Sequence, residues 1–450
     1  MKAILTDPLV LLLLAMMAGI FGAIAFHTFS QQLRYTLAAE KAAVVFFLII
    51  ISGATGITIS PLDKFHPRVL SNVYVTPPTM IAQVGAYAIA LLLLAPILQY
   101  TLKKSLQAWS ILLIKAPFLH LFLLWILLSA TWSNDPITTL RTSLVIVETA
   151  IIAMYIGYRF TWPDLFSILK WFTGALVILA FVYGIGQPSV GRDLDGAWIG
   201  INGHKNHFCF LMALSTILWF VNSIYQSKQR YFSAFMTFLA LIAMEQGGSG
   251  ASKVIVVCLM ALWFYLGTLK TLPTQWAFTS VVLFLIVSIC LVILVTENLE
   301  FIVVDTLNKD LTLTGRTDFW PLIIRKINQR PLLGYGIDGF WQPWNGIDNP
   351  SRDIIVAKTQ FAPPHSHNGF MDLVVDLGYV GLFLFLASMV NALIKAIILL
   401  GQEKMPYAGL PLILLTYTIL TNLTETGLIG VTSIFCFYVV FLTRNTLDLS

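Results

Sequence analysis

The chain has 450 residues, of which 58% are hydrophobic and only 11% charged, with a formal net charge of +5. Soluble domains average about 25% charged residues, so a water-soluble globular class is excluded, and the modest positive balance gives no case for nucleic acid as a partner. The composition implies an all-α polytopic transmembrane bundle whose main partner is the lipid bilayer.

A membrane span needs about 20 apolar residues, and roughly 12 or 13 runs qualify. In chain order they lie near 8–29, 42–60, 79–99, 109–130, 138–158, 165–186, 206–225, 232–246, 252–269, 275–295, 369–399, 408–422 and 427–443. The first run is read as a span and not a cleaved signal, because one lysine precedes it and no small-residue cleavage site stands out. This pattern divides the chain into an N-terminal transmembrane bundle at 1–296, one long extracytoplasmic loop at 297–368, and C-terminal transmembrane helices at 369–450. An odd span count puts the N-terminus outside and an even count puts it inside. The sidedness of the later loops is the same either way. Cys209, Cys258, Cys290 and Cys436 all fall in apolar runs with no CxxC pair, so they read as packing residues.

Lys and Arg accumulate in cytoplasmic loops. One alternating set of loops holds Arg34, Lys41, Lys103, Lys104, Arg159, Lys228, Arg230, Lys270, Lys395 and Lys404, with Arg444 near the C-terminus on the same side. The opposite set holds the 131–137 turn, the 187–205 loop, the 247–252 turn and the long loop, which therefore face away from the cytoplasm.

Four cations stand out on that outer side: Arg141, Lys205, Lys253 and Arg316. Each one can simply snorkel to the interface. Together they would suit a lipid phosphate at headgroup level, where a guanidinium fork matches two oxygens and an ammonium acts as a point charge. In WSNDP at 132–136, Asp135 is a helix N-cap and Pro136 the first helical residue. Arg141 then lies about two turns in, on the same face as Glu148, and a buried structural ion pair explains those two equally well.

The long loop contains Trp320, Trp341, Trp344 and several Gly and Pro turns, which argues for order. TDFWPLIIRKIN at 317–328 reads as a short amphipathic helix with Thr317 as N-cap, of a kind that can lie on a membrane surface. The loop ends in TQFAPPHSHNGFMDLVVDLGYVGLFLF at 359–385. Pro363 and Pro364 delay the helix until about His367, after which Asn368, Asp372 and Asp376 share one face. An imidazole at the mouth of this helix can take a proton from a hydroxyl near neutral pH, with a nearby carboxylate holding its tautomer. The bland alternative is a surface histidine with a capping role.

These residues resemble a known family. His367-Asn368, nine residues, Gly378, two residues, Gly381 is similar to the histidine signature of the O-antigen ligase and polymerase family of bacterial envelope glycosyltransferases. TGRTDFW at 314–320 followed by PLLGYG at 331–336 resembles that family's loop pattern. GHKNHF at 203–208, WSNDP, GSGASK at 248–253 and NLTET at 422–426 resemble its exopolysaccharide-polymerase branch. The likeness runs over about 125–445. It implies an inverting, metal-independent glycosyl transfer with no cofactor, at the periplasmic face of the bacterial cytoplasmic membrane. The donor would be a glycan on undecaprenyl pyrophosphate and the acceptor a sugar hydroxyl. A chain-length regulator or other envelope polysaccharide assembly proteins would be partners. His367 would be the base and Arg316 would stabilise the leaving pyrophosphate. Arg141, Lys253 and Lys205 would help bind it, and Asn368, Asp372 and His365 would support the site. Where the family often has arginine near the 247–253 turn, this chain has Lys253, which cannot form a bidentate pair.

Other readings compete. GRDLDG at 191–196 contains Asp193-x-Asp195, a pattern used by metal-dependent sugar transferases, but Asp-rich turns are common. His365, His367 and Asp372 offer two imidazoles and a carboxylate, a known zinc set. A transporter of lipid-linked sugars is the alternative of another class, although no internal repeat is seen. Within the family, repeat-unit polymerisation is favoured over ligation to lipid A core or to a protein.

Overall fold

The computed structural model describes residues 33–52, 109–273, 276, 279, 316–355, 362–402, 406–430 and 432–449. The expected spans at 8–29 and 79–99, all of 275–295 but residues 276 and 279, the loop segments 297–315 and 356–361, and Cys290 lie outside the described residues. The described part is helical, with one isolated β-bridge between Arg192 and Trp198. Its main helices are α1 (Leu33–Ile51), α2 (Pro117–Leu128), α3 (Pro136–Arg159), α4 (Trp162–Phe181), α5 (Lys205–Tyr225), α6 (Arg230–Gly247), α7 (Gly250–Leu269), α8 (Arg316–Gln329), α9 (Gly369–Gln402), α10 (Leu410–Thr424) and α11 (Ser433–Asp448).

Among the described residues, six helices are long and apolar enough to cross a membrane: α3, α4 extended to Gly186, α5, α7, α9, and α10 extended back to Tyr407. The chain is an all-α, multi-pass membrane protein. The run expected as one span at 109–130 is instead bent by 94° between Trp109–Lys115 and Pro117–Thr131. Pro117 disfavours helical backbone at the residue before it, and Ala116 adopts φ −131°, ψ 50°. The run expected from 427 enters as a turn, and α11 begins at Ser433 behind a Thr432 cap.

Helix α5 is the hub of the N-terminal bundle and packs on α4, α6 and α7. Helix α3 packs along α11, where a Cβ on Gly157 would stand 2.4 Å from the Val440 carbonyl oxygen. Small residues at such crossings let helices approach closely where lipid gives no hydrophobic drive.

The long loop is folded onto the bundle. The apolar stripe of α8, Phe319, Ile323 and Ile327, is buried with Tyr335, Phe340, Trp341, Ile354, Val374 and Val375 in a second small core. The amphipathic helix therefore spends its apolar face on protein, where the sequence also allowed a lipid surface. Thr317, expected as its N-cap, lies inside α8.

Helix α9 breaks at Gly378, which has φ 66° and ψ −175°. The break frees backbone groups within a span, and PLLGYG satisfies them. Tyr335 N donates to the Val375 carbonyl at 2.9 Å and Gly336 N to the Asp376 carbonyl at 2.8 Å; in return Tyr379 N donates to the Pro331 carbonyl at 2.8 Å. WSNDP grips the other side of the same turn. Trp132 Nε1 donates to the Leu333 carbonyl at 2.9 Å and Arg330 reaches Asn134 at 3.1 Å. A Cβ on Gly378 would sit 2.1 Å from the Leu332 carbonyl oxygen, and left-handed backbone costs an ordinary L-residue about 1–2 kcal/mol. Gly378→Ala is therefore expected to lower the thermal unfolding midpoint in detergent by several degrees. Gly401→Ala, where an added Cβ meets nothing within 4 Å, should leave it unchanged.

Candidate active site

Three segments distant in sequence meet at the N-terminal end of α9. The first is the turn Pro363–Asn368. Ser366 N donates to the Asp372 carboxylate at 3.1 Å, and Trp320 Nε1 donates to the Ser366 carbonyl at 2.9 Å. These bonds pull the turn back over the helix start and leave His367 in left-handed backbone, φ 54°. Residues outside glycine rarely hold that conformation unless the surroundings over-determine it. Helix α9 itself begins at Gly369, with Asn368 as cap: its Oδ1 accepts from Phe370 N at 3.0 Å and Met371 N at 3.1 Å.

The second segment is the first turn of α8, which carries Arg316. The third is Glu425, just past α10 in NLTET. Its side chain is 3% exposed. Both of its oxygens lie 3.2 Å from His367 Nδ1, and Arg316 Nη2 lies 3.6 Å from Oε1. Asn206 Nδ2, from the first turn of α5, donates to Oε1 at 2.7 Å. One buried carboxylate thus joins the imidazole and the guanidinium that the sequence singled out. Burial alone would push the Glu425 carboxyl up. The hydrogen bond from His367, the electrostatic pull of the His367 and His365 imidazoles and the Asn206 amide outweigh it and hold the carboxyl well below its usual range. Burial lowers the Arg316 guanidinium, against the pull of Glu425.

His365 lies beside His367 with ring centroids 4.2 Å apart. His365, His367 and Glu425 bring three metal-capable atoms within 4.8 Å of one another. The hydrogen bonding argues for a proton-handling cluster. His367 N–H donates to His365 Nδ1 at 3.1 Å, which places the neutral-ring proton of His365 on Nε2, the atom facing Glu425 at 3.9 Å. A metal at Nε2 would need the other tautomer and would break that bond. His367 Nδ1, for its part, faces an anion that must be given a hydrogen, so its Nε2 is left with the lone pair.

The remaining sequence candidates are placed differently. Asp372 makes no hydrogen bond to the His367 side chain: its carboxylate accepts from Ser366 N, from Trp341 Nε1 at 2.9 Å and from the Thr426 hydroxyl. It therefore fixes the histidine turn, and the carboxylate expected on the imidazole is Glu425. Lys205 lies next to Asn206 but faces Asp193 at 3.7 Å and Asp195 at 4.0 Å. Asp193 also accepts from the backbone of Asp195 and Ala197, so the Asp-x-Asp segment is a turn tied down by its own backbone and a lysine. Lys253 pairs with Glu245 at 2.8 Å, both side chains largely exposed. Arg141 is exposed on α3 and does not pair with Glu148. Its neighbour Thr142 donates to Asp338 at 3.0 Å. Glu425 and Asn206 were not singled out from sequence, although both lie in quoted segments, NLTET and GHKNHF. The only signal was an acid and an amide at the ends of apolar runs.

Burial, with the His367 charge adding to it, pushes the His365 imidazole down from 6.5 to about 3. Burial also lowers His204. The unfolded chain therefore takes up protons below pH 6.5 that the folded chain refuses, so stability falls as pH drops. Below about 4.5 the Glu425 carboxylate adds a second loss, because it stays ionised only when folded. The melting midpoint in detergent is expected to fall steadily from pH 7 to pH 5, with a shallower slope for His365→Asn.

Residues 232–386, which hold both Arg316 and His367, match the family described as O-Antigen ligase. A 92-residue stretch is 32% identical to the exopolysaccharide production protein ExoQ of Rhizobium meliloti (strain 1021), covering 20% of this chain. The match spans about a fifth, 21%, of that relative's length. Residues 232–386, which span part of the loop, the histidine turn and the start of α9, are thus similar to the O-antigen ligase family.

Proposed function

We propose that this protein is a membrane glycosyltransferase that moves a glycan from undecaprenyl pyrophosphate to a sugar hydroxyl. The observation that carries the reading is that His367 and Arg316 share one buried carboxylate, Glu425, at 3.2 and 3.6 Å. His367 Nε2 takes the proton of the acceptor hydroxyl. The hydroxyl oxygen attacks the anomeric carbon from the face opposite the pyrophosphate. The C–O bond to pyrophosphate breaks, its electron pair leaves with the phosphate, and Arg316 meets the developing charge. Attack from the opposite face inverts the configuration. Fixed cations aimed at developing charge are usually the largest contribution to such catalysis, with a general base adding about 10²–10⁴. The chemistry uses only these side chains and is metal-independent.

The site is assigned to the periplasmic face of the bacterial cytoplasmic membrane. Support comes from the cation-rich opposite end. Helix α3 starts beside the loop turn and runs about 36 Å to Arg159, which meets Glu40 at 2.9 Å. At that end Lys41 pairs with Asp164, and Arg444 with Asp448. This is the distribution the positive-inside rule assigns to the cytoplasm.

Repeat-unit polymerisation is the favoured reaction, on the likeness to an exopolysaccharide production protein. Ligation of a finished glycan to lipid A core or to a protein is the second reading, favoured by the description of the matching family. A gene deletion separates them: single carrier-linked repeat units accumulate if the protein polymerises, and long carrier-linked glycan accumulates if it ligates.

Purified His367→Ala and Arg316→Ala proteins, given lipid-linked glycan and acceptor, should each lose about 10²–10⁴ in turnover. Near-normal turnover in both would sink the mechanism and favour a transporter of lipid-linked sugars. Turnover should persist in a strong chelator. Loss on chelation, restored by zinc, would instead make His365, His367 and Glu425 a metal centre.

A further inference from the structure

Glu425 is placed to do more than accompany His367. Its Oε1 takes a short hydrogen bond from Asn206 at 2.7 Å, while the Arg316 contact on the same oxygen is 3.6 Å. A charge-assisted hydrogen bond would be about 2.7–2.9 Å, and a guanidinium fork prefers two acceptor oxygens. Among the described residues, Arg316 is therefore held loosely, by charge, and no second acceptor fills its fork. The imidazole contact is different in kind: both carboxylate oxygens are equidistant from Nδ1, at 3.2 Å. A pyrophosphate offers the fork what Glu425 does not, two phosphate oxygens with more negative charge.

We propose that Glu425 is a positioning residue that surrenders Arg316 to the donor pyrophosphate while keeping His367. In the free protein it holds both groups. When the donor binds, the guanidinium turns to the phosphate, and the carboxylate stays on Nδ1, with Nε2 facing the acceptor. This rests on the glycosyl-transfer reading above. The two anions compete for one cation, and only one of them also orients the base. Removing the charge of Glu425 while keeping its shape thus moves two quantities in opposite directions. Donor binding becomes tighter, because Arg316 is released. Turnover becomes slower, because the imidazole loses the anion that orients it. A residue that merely holds the fold would weaken both.

The test uses the full-length protein in detergent. Binding is measured with undecaprenyl pyrophosphate carrying no glycan, and turnover with lipid-linked glycan and acceptor. Glu425→Gln, which can still accept from Asn206, is expected to lower Kd for the probe by about three- to tenfold and kcat by about 100-fold or more. Glu425→Asp, with the charge kept but the reach shortened, should fall between wild type and Glu425→Gln on both measures. Weaker probe binding in Glu425→Gln, or a kcat within about twofold of wild type, overturns the proposal. If Glu425→Gln does not fold, Glu425→Asp decides: tighter binding with slower turnover supports the proposal, and any other combination overturns it. The glycosyl-transfer reading fails separately, on His367→Ala and Arg316→Ala.

Discussion

Backbone groups inside a membrane span have no water to bond, so a break in a spanning helix must be answered by protein. In this chain the break is at Gly378, about 14 Å along α9, and the answer comes from the loop turn at 331–336. The pairing is reciprocal: the turn donates to the carbonyls of Val375 and Asp376, and Tyr379 donates back to Pro331. Glycine is required because the backbone there is left-handed and because the Leu332 carbonyl leaves no room for a Cβ. The loop cannot move away without stranding these groups in an apolar setting. This constraint converts a polar excursion into a fixed part of the bundle. It sets where α8 lies, and with α8 the position of Arg316.

The second organising device is electrostatic. The N-terminal ends of α5, α8 and α9 and the C-terminal end of α10 converge on buried carboxylates with divided duties. Asp372 receives Ser366, Trp341 and Thr426, so it ties the histidine turn to the loop core and to the segment after α10. Glu425 receives the imidazole, the guanidinium and the Asn206 amide. Each carboxylate is compensated by several donors, which is the condition for keeping a charge out of water. The residues that would do chemistry are thus held by residues that do not, and the left-handed conformation of His367 persists because the turn around it is bonded on both sides.

The ion pairs of the molecule differ in kind. At the end with Glu40, Arg159, Lys41 and Asp164, opposite charges pair closely. At the other end the Arg316 contact is loose, and the neighbouring imidazole of His365 is kept neutral by burial.

Much of this was legible in the sequence because it is set locally. The length of apolar runs fixed the membrane class and the places of the six described helices able to cross a membrane, and Asp135-Pro136 marked the start of α3 through its own cap, with Thr138 N donating to Asp135 at 3.2 Å. The bend before Pro117 was also local, but a hydropathy run does not register it. Residue chemistry and family likeness pointed to His367 and Arg316, with Asn368 and Asp372 as the residues that orient them, and sidedness grouped Arg141, Lys205 and Lys253 with them. Only the tertiary structure could show that Lys253 faces Glu245 and that Glu425 serves the imidazole from 58 positions away, with Asn206 reaching it from 219. No helical or strand period connects residues at such separations. They meet because helices crossing a bilayer bring chain ends together at its surface, and which ends become neighbours is decided by packing across the bundle.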